Sequence, residues 1–195
     1  MQTFRQLPKH FDLIPAAISR QLSEIDVARG RQEAFAIQYP AALESLKEAA
    51  LIQSVVASNA IENITAPRKR IEALVAQTAE PRDRSEAEIA GYRAVLSTIH
   101  ASGQDIPFTS AVVRQLHRDL YKYAAQPGGN WKGVDNLVTE VRPDGGLAVR
   151  FTPVSAFATP EAMDELHQRV NDAWDADQYH RLLLTAAYAL DFLVI

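Results

Sequence analysis

The sequence predicts an all-α fold interrupted by one β-hairpin. Three observations carry that reading. Apolar residues recur at three- and four-residue spacings along most of the 195 residues, as in helices with one buried stripe. The prolines, glycines and small polar residues between these stretches sit where helices start and stop. Paired β-prone runs occur in one place, on either side of Arg142-Pro143-Asp144-Gly145-Gly146.

In chain order, Asp12 and Pro15 open a first helix to about Ala28, and Gly30 ends it. Pro40 starts a long helix whose Leu43, Leu46, Ala50, Ser54, Ala57 and Ile61 form one stripe. Thr65 and Pro67 mark a break, and the next helix carries Ile71, Leu74 and Val75 on one side. Ser85 with Glu88 has the form of a capping box. It opens a helix through Ile89, Tyr92, Val95, Leu96 and Ile99, closed by Ser102-Gly103. Thr109 or Ser110 caps the next, with Val112, Val113, Leu116 and Leu120. Gln126–Gly133 is a loop by composition. Leu137–Val141 and Leu147–Thr152 then form a hairpin around the Pro-Asp-Gly-Gly turn, and Pro153 stops the second strand. Thr159 and Pro160 begin a helix with Met163, Leu166 and Val170, and a last helix starts near Asp177. Seven or so helices result.

Composition narrows the class. Twenty Lys and Arg against 24 Asp and Glu give a net charge of −4, so the chain lacks the basic footprint of a nucleic-acid binder. The cluster Arg68-Lys69-Arg70 reads as a solvated helix start. There is no Cys, which removes thiolate chemistry, zinc ribbons and iron–sulfur ligation. No signal peptide and no membrane span is legible, and a cytoplasmic protein is expected. From Leu182 to Ile195 twelve of fourteen residues are apolar, with no Gly, Asn, Lys or Arg to close the helix. The expectation is that the functional unit continues past Ile195; the alternative is a tucked-in terminal helix.

No self-contained catalytic set appears. His10, His100, His117, His167 and His180 show no metal-ligand spacing and read as surface or helix-face residues. Gly128-Gly129 lacks the lysine of a phosphate loop, and there is no GxSxG. One segment stands out. Ser58 lies one turn before Glu62, so both share a helix face. A carboxylate at a helix C-terminus opposes the macrodipole by a few tenths to about 1 kcal/mol, and a cation should compensate it. A solvated helix-end glutamate is the plain alternative.

Ser58-Asn-Ala-Ile-Glu62-Asn63 matches the pattern [S/T]xxxE[G/N], the inhibitory-helix motif of the Fic (filamentation induced by cAMP) family. Pro107-Phe-Thr, Leu116-His117-Arg-Asp-Leu120, Gly129-Asn-Trp131-Lys132, Asn136-Leu-Val, Asp144-Gly-Gly and Val149-Arg-Phe151-Thr-Pro153 follow in family order. The chain resembles this family over roughly residues 35 to 195. The family's catalytic loop, HPFx[DE]GNGR, is not in the sequence, which stops where that His would come next.

The resemblance implies a Fic-type helical bundle with an inserted flap. Residues 1–85 would form an N-terminal helical region with the inhibitory helix, and 86–195 the N-terminal part of the Fic core. The parent would transfer AMP from ATP, with Mg²⁺, to a Ser, Thr or Tyr hydroxyl of a target protein. This chain alone would be inactive, with no catalytic or metal-binding residue and no cofactor of its own. Glu62 would pair with the loop's last Arg and exclude the γ-phosphate, with Ser58 and Asn63 holding the helix end. The flap, with Leu137, Val138, Thr139, Glu140, Val141, Val149, Arg150 and Phe151, would clamp the target by strand addition. Its alternative role is a structural hairpin. A homo-oligomer is left open; no membrane or nucleic-acid partner is expected. Two other readings stand beside this one: a non-catalytic helical interaction or inhibitory module, and transfer of a different phosphate-containing group.

Overall fold

The structure, a computed structural model, describes residues 3–195. Among them are eight α-helices and one two-stranded antiparallel hairpin. After a 3-10 turn (Phe4–Gln6) come α1 (Leu7–Phe11), α2 (Ala16–Gln38), α3 (Pro40–Ile61), α4 (Arg68–Val75), α5 (Arg84–Ser102) and α6 (Ser110–Leu120). The strands β1 (Val138–Val141) and β2 (Leu147–Phe151) precede α7 (Thr159–Ala176) and α8 (Arg181–Leu193). The all-α reading with one inserted hairpin holds. No described helix is long and apolar enough to cross a membrane.

The described residues form two compact units: one of residues 3–24, 108–110 and 131–195, the other of 25–107 and 111–130. In the first, the core joins Phe4, Leu7, Leu166, Val170, Leu184 and Ala187. Phe4, Leu7 and the partly buried Phe11 repeat at helical spacing, the signal that the opening turn and α1 were there to be found. In the second unit, Val55 of α3 meets Ile71, Leu74 and Val75 of α4 and Ile89 and Ala90 of α5.

Several boundaries differ from those expected. Gly30 does not end a helix: α2 runs 23 residues through it, and none of them is buried. A helical glycine costs roughly 1 kcal/mol relative to alanine, which a long helix absorbs. The buried face of α3 is not the expected stripe. Leu46, Ala50, Ala57 and Ile61 are exposed, and Leu51, Ile52, Val55 and Asn59 turn inward instead. Alanines on several sides of α3 make its period ambiguous, and α4 and α5 decide the face. Asp83, not Ser85, is the N-cap of α5; its carboxylate accepts the Glu86 N–H at 2.9 Å. Asp177 closes α7 in the left-handed region, φ 48°, and α8 starts later, with the His180 ring accepting the Leu182 N–H at 3.2 Å. His167 is a core residue, its Nδ1 2.7 Å from the Met163 carbonyl.

Candidate functional site

The site is built at the C-terminal end of α3. Val55 is fully buried, and Asn59, one turn later, is buried with its amide donating to the Val55 carbonyl at 2.8 Å. Val55 packs this face of α3 against α4 and α5. Glu62 follows as the C-cap, and Asn63 turns the chain with φ 58°. Asparagine enters that left-handed region more readily than other side-chain-bearing residues. The Glu62, Asn63 and Ile64 N–H groups donate back to the carbonyls of Asn59, Ala60 and Asn59 at 3.1, 3.1 and 2.9 Å, satisfying the helix end.

Ser58 and Glu62 share one face, as their spacing requires, and that face opens on a cavity of about 630 Å³. Arg84, Glu88 and Tyr92 of α5, with Leu120 and Tyr121 at the end of α6, complete its lining. The Tyr92 hydroxyl bonds to Ser58 Oγ at 2.9 Å. The cation nearest in kind, Arg84, is held by Glu88 at 2.8 Å. Glu62 itself is exposed and enters no ion pair among the described residues. The cavity therefore presents a carboxylate acceptor at the negative end of a helix, open to a guanidinium from outside it. The motif residues Ser58 and Glu62 are brought together; Asn63 serves the turn.

Two devices fix the walls. Glu86 is buried and takes a two-point bond from Arg70, Nε to Oε1 at 2.8 Å and Nη2 to Oε2 at 2.6 Å, plus the Arg82 N–H at 2.9 Å. The Arg70 guanidinium foremost, against the opposing effect of burial and with help from the Arg82 N–H, brings its carboxyl from 4.5 down to about 2. Arg70 is thus a structural cation joining α4 to α5, which corrects its reading as a solvated helix start; Arg68 pairs at the surface with Glu72. On the other side α5 and α6 meet at Gly91. A methyl there would lie 2.8 Å from the Leu120 carbonyl carbon and closer still to its oxygen. The loop after α6 is tied back by Gly129, whose N–H donates to His117 Nδ1 at 2.8 Å and whose carbonyl accepts from Arg114 Nε at 2.9 Å. His117 therefore positions that loop through its Nδ1.

The hairpin belongs to the other unit. Thr139 pairs with Val149, Glu140 with Ala148 and Val141 with Leu147, with an irregularity between Val138 and Thr139. Gly145 donates to the Arg142 carbonyl at 2.9 Å, and Arg142 donates to that of Gly146 at 2.8 Å. Pro143 presets the turn, and Gly145, φ 81°, takes the left-handed position it needs. Glu140 and Arg150 form an exposed ion pair at 2.9 Å. Leu137, just before β1, and Val138, Val141, Val149 and Phe151 are all exposed. Two apolar strands with their outer edges unpaired in the sheet are an arrangement open to strand addition.

Among the described residues no group of three or more His, Asp or Glu could hold a metal ion. These residues do not fit a Mg²⁺ site, and no step is assigned through one. Sequence reasoning named Tyr92 only as a helix-stripe residue. Its hydroxyl contact spans 34 positions and leaves no periodic trace.

No protein-family model matches the chain, and no curated protein aligns with it significantly. Solved structures do resemble it. A Fic family protein from Desulfovibrio desulfuricans G20 superposes with a TM-score of 0.71 at 18% identity, over 94% of this chain and 52% of its own. A Fic domain containing signaling protein from Bacteroides thetaiotaomicron VPI-5482 gives 0.62 at 20%, over 75% of this chain and 55% of its own. The fold is Fic-like, and the chain spans about half the length of these structures.

Proposed function

We propose that this chain is the regulatory and target-docking portion of a Fic-type protein adenylyltransferase that moves AMP from ATP to a hydroxyl of a target protein and is held in check by Glu62. The observation that carries the reading is the joint placement of Ser58 and Glu62 on one cavity, with the Glu62 carboxylate unpaired, in a chain whose fold is Fic-like. At the end of α3 the last carbonyls already make the potential negative. A guanidinium entering the cavity gains charge-assisted hydrogen bonds from Glu62. In the parent protein that guanidinium would belong to the catalytic loop. While it is paired with Glu62 it is not available to orient the nucleotide.

The hairpin supplies the second half of the reading. Its exposed apolar side chains and open strand edges can hold an extended target segment by main-chain hydrogen bonds. The target hydroxyl is then presented by the segment, not by this chain. A purely inhibitory module has no use for such a clamp.

The test uses the parent protein, in which these residues are joined to a catalytic loop, with ATP labelled at either the α- or the γ-phosphate. AMP transfer leaves the α label on protein and none of the γ label. Retention of the γ label would mean transfer of a different phosphate-containing group. No label from either position, in wild type and in Glu62→Gly, would favour a non-catalytic module.

A further inference from the structure

Glu62 can meet a guanidinium reproducibly only if the last turn of α3 is held in place. Within α3, the Asn59 amide and the backbone bonds of Glu62, Asn63 and Ile64 shape the turn. None of these ties it to a neighbouring helix. The bond from Tyr92 to Ser58 does. Tyr92 sits on α5, and its ring packs against the cluster of Val55, Ile71, Leu74 and Ile89. The ring is thus fixed at its apolar end, and its hydroxyl reaches the cavity wall.

We infer that Tyr92 is a positioning residue for the inhibitory turn: its core-anchored hydroxyl holds Ser58, and through Ser58 the carboxylate one turn later, where an incoming arginine finds it. This rests on the reading of Glu62 given above. The chemistry needs only an O–H from Tyr92 and a hydroxyl acceptor on Ser58. Threonine at 58 would serve, and phenylalanine at 92 would keep the packing while deleting the bond.

Two measurements test it separately from the activity itself. In the 195-residue chain, amide exchange at Glu62, Asn63 and Ile64 should quicken about three- to tenfold in Tyr92→Phe and in Ser58→Ala, the range expected for losing one hydrogen bond. Ser58→Thr should exchange like wild type, and so should the Thr78 amide at the end of α4 in every variant. Unchanged exchange at the α3 turn in Tyr92→Phe overturns the inference, whatever Glu62 does. In the parent protein, Tyr92→Phe and Ser58→Ala should each raise AMP incorporation several-fold, the double variant no further than either single, and Tyr92→Phe should add nothing in a Glu62→Gly background. If Glu62→Gly activates and Tyr92→Phe does not, the positioning role fails while the role of Glu62 stands. If Tyr92→Phe activates equally with and without Glu62, its effect does not run through the inhibitory turn, and the inference is again overturned.

Discussion

Replacing Gly91 with alanine should loosen the second unit, against the usual direction for a glycine inside a helix. On α5 a glycine-to-alanine change gains up to about 1 kcal/mol through backbone propensity. At Gly91 the added methyl would sit 2.8 Å from the Leu120 carbonyl carbon and closer still to its oxygen. Both are backbone atoms at the end of α6, with no flexible side chain to yield. Relief requires α5 and α6 to separate, and overpacking of this kind costs typically about 1–3 kcal/mol, occasionally more. Overlap with two backbone atoms puts the cost at about 2–3 kcal/mol, so the net effect is a loss of roughly 1–2 kcal/mol. At this chain length that corresponds to a Tm lower by roughly 2–8 °C. Gly30 is the internal control. It lies in open space within α2, so Gly30→Ala keeps the propensity gain and meets no clash. The assay is thermal unfolding of the two variants beside wild type. A Tm for Gly91→Ala equal to or above that of wild type would refute the close α5–α6 approach that places Leu120 and Tyr121 on the cavity.

Acid should act through the buried carboxylates. Glu86 titrates at about 2 in the fold against an ordinary 4.5, so its contribution is complete above pH 4.5 and lost as the pH falls toward 2. Chemical unfolding across that window should show stability falling, and Glu86→Gln should be weaker at neutral pH with a flatter slope below it; an unaltered slope would remove Glu86 from the explanation. Asp191, buried at the end of α8, accepts the N–H groups of Phe4 and Thr3 at 3.0 and 3.1 Å. Burial raises its carboxyl, and those bonds more than offset it and hold it below the ordinary value. Asp191→Asn should therefore free the opening turn, read as faster exchange of the Phe4 amide, without changing α5. On the proposed reading, Val138→Pro, which removes an N–H from β1, should cut modification of a protein target by the parent protein while leaving nucleotide binding intact. Equal loss of both would make the hairpin purely structural.

Much of this architecture was legible because the punctuation was strong. Pro40 and Pro67 precede or open α3 and α4, Gly103 closes α5, and Pro143-Asp-Gly forces the hairpin turn. What failed had weak or competing signals. Gly30 had too little energy behind it to stop a helix, and the alanines of α3 left its buried face to be chosen by α4 and α5. Asp83 and Ser85 both qualify as caps, and only the geometry shows which carboxylate meets the Glu86 N–H. At the site, Ser58 and Glu62 could be placed on one face from their spacing alone. The Tyr92 hydroxyl, the Arg70–Glu86 bond and the Gly91–Leu120 approach are tertiary, and local sequence carries no trace of them.

On the proposed reading, the unpaired Glu62 carboxylate restrains AMP transfer. The most direct measurement is incorporation of AMP from α-labelled ATP by the parent protein in wild-type, Glu62→Gln and Glu62→Gly forms. A coupling of about 1–3 kcal/mol between Glu62 and nucleotide orientation corresponds to roughly 5- to 150-fold. Glu62→Gly should raise incorporation within that range, and Glu62→Gln should do so by less, since the amide still fills the space. The Tm should stay close to wild type, because an exposed helix-end glutamate contributes little to folding. Unchanged incorporation by Glu62→Gly, in a protein that otherwise transfers AMP, would leave Glu62 an ordinary solvated glutamate and contradict the account.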